Sequence, residues 1–140
     1  MIERVFATIS LTLMAASLGL LGYWEFIDGV APPMTINASS MDKTVYHPGD
    51  VMHVTRDLCW NVAASYTLHR VFIDHLVYAL PDYAVTAPQV GCAAAGIAVQ
   101  IPESLPPGEY TYRVSADFRI NPIKSVRFMY PDLVLTVVGP

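Results

Sequence analysis

The chain has 140 residues and a formal net charge of −4, and its eight Lys and Arg residues are scattered along it. That length holds one domain and a short appendage, and the charge leaves no basic footprint, so nucleic acid is not an expected partner. A hydrophobic share of 54% exceeds that of an ordinary soluble chain, and an N-terminal run supplies much of the excess.

Residues 1–4, which include Arg4, are expected to form a cytoplasmic N-terminus. The next twenty, Val5 to Trp24, carry no charge. As a helix they span about 30 Å, the thickness of a bilayer's hydrocarbon core, so 5–24 reads as a single transmembrane helix. Tyr23, Trp24 and Phe26 suit the membrane–water interface, and Glu25 and Asp28 bring the chain into water. With positive charge only on the N-terminal flank, everything after Glu25 is expected outside the cytoplasm, periplasmic or external. A cleaved secretory signal is the competing reading. Leu20, Leu21, Tyr23 and Trp24 stand where a small-x-small cleavage site belongs, which favours a retained anchor.

Thr8, Thr12, Ala15, Gly19 and Gly22 fall on one face of this helix. Small residues let helices approach closely in a bilayer, so the stripe is a candidate packing face for a second copy or another membrane protein. Membrane helices are rich in small residues in any case, and the two explanations weigh equally.

Residues 25–40 contain Pro32 and Pro33 and read as an extended stalk. Asn37-Ala38-Ser39 within it matches the N-glycosylation acceptor pattern, which matters only in a eukaryotic secretory pathway.

Residues 41–140 show no sustained helical period and many short alternating segments, so a mainly β domain is expected. The clearest strand runs from Tyr110 to Ile120, where Tyr110, Tyr112, Val114, Ala116 and Phe118 alternate with polar residues. Further strands are expected at Lys43–Tyr46, Val51–Leu58, Tyr66–Ile73, Leu76–Leu80, Ile97–Ile101 and Val126–Val138, the last broken at Pro131. About seven strands in such a length suit an antiparallel sandwich.

The stretch Leu105-Pro106-Pro107-Gly108-Glu109-Tyr110-Thr111-Tyr112 resembles the loop and strand F of immunoglobulin-like and fibronectin-like domains. That resemblance implies an immunoglobulin-like β-sandwich in which Tyr110 forms a tyrosine corner. Val45 to Val51 is similar to the approach to strand B of such domains. The antibody-type pattern wants a Cys where Tyr112 stands, so a true antibody-type domain is excluded.

Cys59 and Cys92 are the only cysteines. In an oxidising compartment they are expected to form a disulfide that pins an irregular stretch, 81–96; in the cytoplasm they would be buried free thiols.

No nucleophile, metalloprotease, Walker or dinucleotide motif is present, so neither an enzyme nor a cofactor is expected. Four histidines fall in two H-x5-H pairs, with methionines nearby, and the final third resembles the C-terminal strands of periplasmic copper-resistance sandwich domains. The histidine spacing, with Met52 beside His53, makes His47, Met52 and His53 candidate metal ligands, copper above all. Six residues along a strand separate side chains by about 20 Å, which argues against chelation unless a turn folds the pair back. The order of anchor, stalk and lone sandwich also resembles small phage membrane and structural proteins. The expectation is therefore a non-enzymatic membrane-anchored protein whose partners are the lipid bilayer and other subunits or copies of itself, with a metal-binding or carrier module as the alternative.

Overall fold

The computed structural model describes residues 2–26 and 31–139. Met1 and residues 27–30, which fall within the expected N-terminus and stalk, lie outside the described residues. Helix α1 spans Ile2–Phe26, slightly longer than the uncharged run. Its stretch Val5–Phe26 is long and apolar enough to cross a bilayer, and none of it is buried against the rest of the chain.

Ten strands follow: β1 (Met34–Met41), β2 (Val45–Tyr46), β3 (Val51–Trp60), β4 (Tyr66–Ile73), β5 (Val77–Ala79), β6 (Tyr83–Val85), β7 (Gly91–Gln100), β8 (Gly108–Arg119), β9 (Ser125–Met129) and β10 (Leu133–Val137). One sheet has the order β1-β3-β7. The other has the order β2-β10-β8-β4-β5, with β6 also paired to β4 and β9 to β8. The second sheet is thus split on two sides: β5 and β6 share one side of β4, and β9 and β10 share one side of β8, with β2 beyond β10. Proline explains each break, because Pro81 and Pro131 fall between the two halves and cannot donate to a ladder.

The inner faces of the sheets make the core. On β8, Tyr110, Tyr112, Val114, Ala116 and Phe118 are all buried, as the alternation predicts, and Met52, Val54 and Leu58 face them from β3. Phe72 of β4 packs against both Tyr110 and Tyr112, with ring centroids 6.5 and 5.2 Å apart. The expected turn at His47-Pro48-Gly49-Asp50 forms, with Asp50 N–H donating to the His47 carbonyl at 3.0 Å. Gly49 sits at φ 87°, a conformation that only glycine adopts without strain.

Residues 34–40, expected within the stalk, belong to a strand. Pro33 and Met34 are buried, and Met34–Met41 is strand β1, paired along β3. Extended, proline-led chain is equally compatible with a stalk and with an edge strand, and pairing with β3 decides between them. A bulge between Ile36 and Ala38 shifts the register of β1. The side chains turned inward are therefore Met34 and Ile36 before it, and Ser39 and Met41 after it.

The stretch 81–96 is also more regular than expected, since it holds β6 and the first half of β7. Cys92 sits in β7 directly opposite Cys59 in β3, and the two are bridged. Helix α1 ends against the β8–β9 turn. Asn121 Nδ2 donates to the Trp24 carbonyl at 3.1 Å and Lys124 Nζ to the Glu25 carbonyl at 3.0 Å. The last turn of α1 has no basic residue of its own, so these donors meet carbonyls that the helix leaves open and place a cation at its negative pole.

Two predictions follow from this architecture. The disulfide closes a loop with a sequence separation of 33. Replacing Cys59 and Cys92 by Ala should cost about 4 kcal/mol, measured by urea unfolding. Alkylation without reductant that labels two thiols would remove the bridge altogether.

Surface carboxylates should set the acid limit. Arg127 makes a two-pronged pair with Asp117, both contacts 2.7 Å, and Arg113 Nη2 meets Asp132 at 2.7 Å. These hydrogen bonds hold both carboxyls below the usual range. A depressed folded-state pKa contributes stability above the unfolded value, about 3.9, and loses it as pH falls further. The melting temperature should therefore drop below about pH 4, and Asp117→Asn with Asp132→Asn should flatten that drop. An unchanged acid limb in the double variant would show that other groups control it.

Candidate functional site: a cavity between the sheets

The alternation that builds the core places two arginines in it. Along β3 the inward residues are Met52, Val54, Arg56 and Leu58, and along β4 they are Tyr66, Leu68, Arg70 and Phe72. Arg56 is only 5% exposed, the sole buried charged residue among those described. Burial of an isolated cation costs several kcal/mol unless other groups compensate, so its surroundings matter.

Compensation is partial. Arg56 Nε donates to Ser39 Oγ at 3.2 Å, a contact made available by the β1 bulge, and its guanidinium carbon lies 4.5 Å from the centre of the Tyr130 ring. No carboxylate pairs with it among the described residues, and its Nη2 is buried without a partner. Burial pushes the Arg56 pKa down and that of Tyr130 up. Arg70 is better served: its Nη2 donates to the Pro81 carbonyl at 2.6 Å, and its guanidinium lies 5.8 Å from the Tyr83 ring centre.

Arg56 lines a cavity of about 210 Å³ between the sheets. Leu58, Tyr66 and Leu68 form its buried floor. The half-buried Val85 of β6 and Ile97 of β7 stand nearer solvent, where an edge of each sheet comes to the surface. Space exists there because β7 offers little bulk: Ala95 is the register partner of Arg56, with Gly96 beside it. Four buried side-chain polar atoms lack a partner among the described residues: Arg56 Nη2, Trp60 Nε1, Arg70 Nε and Tyr112 Oη. All four are N–H or O–H groups, and Trp60 also lines the cavity. The interior is short of an acceptor.

The residues singled out from sequence lie elsewhere. Met52 is fully buried while His53, next along the same strand, points outward, so the two face opposite sides of the sheet. His47 Nδ1 lies 3.0 Å from the Gly139 carbonyl. His69 sits between Asp82 and Asp117, at 2.8 and 3.3 Å. No group of three His, Cys, Asp or Glu suited to a metal ion occurs among the described residues. Tyr110 Oη donates to the Pro106 carbonyl at 2.8 Å, which ties the loop before β8 to the strand. Thr8, Thr12, Ala15 and Gly19 are exposed on α1 and Gly22 is half-buried, and nothing lies within 4 Å of where a Cβ on either glycine would sit. Arg56 was the missed residue, although a lone Arg in the apolar register of Val51–Leu58 is a readable signal.

No protein-family model matches the chain, and no curated protein matches it in sequence. Among solved structures, a Niemann-Pick type C2 protein from the Japanese carpenter ant is similar with a TM-score of 0.55 at 9% identity. The alignment covers 81% of this chain and 98% of that one. The sporulation control protein Spo0M of Bacillus subtilis gives a TM-score of 0.48 at 14% identity, over 76% of this chain and half of that chain's length. At these identities the first likeness speaks to the fold alone and the second adds nothing to it. The chain is a β-sandwich preceded by an apolar helix.

Proposed function

We propose that the protein is a non-enzymatic, membrane-tethered interaction module. In this reading α1 crosses the bilayer with its N-terminus in the cytoplasm, and an immunoglobulin-like sandwich stands outside as one component of a larger assembly. The observation that carries it is the state of α1: an apolar helix that packs against no core, beside a domain that closes its own. Bilayer is the solvent such a surface requires. The bridged cysteines suit an oxidising compartment, which supports the outward placement of the domain. The donors from Asn121 and Lys124 would hold the β8–β9 turn close to the membrane surface.

The three-stranded sheet supplies surfaces for partners. Strands β1 and β7 are its edges, and neither Met34–Met41 nor Gly91–Gln100 contains a charged residue. Long uncharged edges are where strands from other chains add, and proteins that stay apart blunt them with charge. Opposite orientations of Met52 and His53 give the metal-binding alternative no comparable support.

Two measurements test this reading. Intact mass spectrometry of protein recovered from membranes should return the full-length mass; a mass lacking α1 would make the domain a released one. Cross-linking and purification in mild detergent should recover stable partners or a homo-oligomer. Lys at the exposed positions Ala94 and Ala98 of β7 should reduce that recovery several-fold. A monomer without partners would end the assembly reading.

A further inference from the structure

We propose that the cavity between the sheets binds a small apolar monocarboxylate. Its carboxylate would pair with the Arg56 guanidinium, and its hydrocarbon part would lie against Leu58, Tyr66, Leu68 and Ile97. Three observations carry this assignment, and each limits a different property of the ligand.

The first is charge. Arg56 is 5% exposed and faces a cavity with no carboxylate paired to it among the described residues. Water in the cavity would supply an acceptor but not a counter-charge, and a buried cation calls for both. The second is donor count. Arg56 is only partly engaged, since its Nε is committed to Ser39 and its face to the Tyr130 ring, and neither contact neutralises its charge. Trp60 Nε1 is the other unpartnered donor in the wall. A monoanion with two acceptor oxygens suits one cation and a nearby N–H, whereas a phosphate dianion would remain under-neutralised.

The third is size and lining. Apart from these donors and the tyrosine hydroxyls the walls are aliphatic or aromatic, which suits an apolar ligand body. A cavity of about 150 Å³ lined by apolar side chains accepts benzene. The 210 Å³ present here therefore takes a short hydrocarbon chain or one ring with its carboxylate, and excludes a long-chain acid in full. Tyr83, 52% exposed, lines the cavity on its solvent side.

The test uses the full chain in phosphatidylcholine nanodiscs, with empty nanodiscs as blank and titration calorimetry as readout. Probes are hexanoate, hexanol and acetate, which separate the carboxylate from the tail. Hexanoate should bind at least about tenfold more tightly than either of the others. Arg56→Met, which keeps length and removes charge, should abolish that preference and also raise the melting temperature, because an unpaired buried cation is lost. Ala95→Leu, which fills the space, should weaken hexanoate and hexanol alike. Equal affinity for hexanoate and hexanol, a preference that persists in Arg56→Met, or no binding by the unmutated chain at millimolar hexanoate would each overturn the proposal. Because the first comparison is made on the unmutated chain, a variant that fails to fold cannot protect the idea. Ligand capture and partner binding are separable: hexanoate binding by a chain that recovers no partners would sink the assembly reading and leave the site.

Discussion

Two sheets, each with one face too apolar for water, must be pressed together, and most of this molecule follows from that requirement. The strongest expression of it is β8, whose five inward residues are all buried while Arg113 and Arg119 point outward. Burial of that kind is worth roughly 1.5–3 kcal/mol for each large apolar side chain, enough to outweigh the poor β-propensity of several segments around it. The tyrosines join in because each finds an outlet for its hydroxyl or is desolvated. Tyr46 donates to Asp42 at 2.6 Å and, through burial first and that carboxylate second, has its pKa pushed up to about 12. Tyr110 reaches the Pro106 carbonyl, and the Tyr112 hydroxyl has no hydrogen-bond partner among the described residues.

Against that requirement the two inward arginines are an inconsistency of the kind that separates functional positions from structural ones. A leucine or methionine at position 56 would satisfy the core at less cost, since replacing buried charge by apolar groups is often neutral or stabilising. The chain instead arranges several features around the arginine. A bulge in β1 turns Ser39 towards its Nε, the Tyr130 ring covers its face, and Ala95 leaves the space in front of it open. Three separate adjustments thus surround one side chain that still lacks a counter-charge among the described residues, and the proposed ligand site rests on that deficit.

Much of the fold was legible from alternation and turn residues. The expected Tyr66–Ile73 strand coincides with β4, and the break at Pro131 separates β9 from β10. What was not legible lacks side chains that favour strands. The opening of β1 carries two prolines just before it and a bulge within it, so its period of two is interrupted at Asn37. The first half of β7, Gly-Cys-Ala-Ala-Ala-Gly, has neither β-branched nor aromatic residues, and only pairing with β3 makes it a strand. The cavity was hidden for a related reason. Period-two reading identifies which residues face inward, but volume depends on what stands across the gap, and sequence alone does not pair Arg56 with Ala95.

The disulfide can be understood through the same weak strand. A segment of alanines and glycines contributes little apolar area and much conformational freedom, so the start of β7 would be the first part of the small sheet to detach. Cys59 and Cys92 join β3 and β7 at that end, one residue from the last paired position, Trp60 with Gly91. The bridge thus allows the strand to remain poor in side chains, and poverty of side chains is what keeps the cavity in front of Arg56 open. If the strand gained bulk, the sheet would need the bridge less and would lose the space. The cystine, the buried arginine and the small residues of β7 that face it across the sheet are parts of one arrangement.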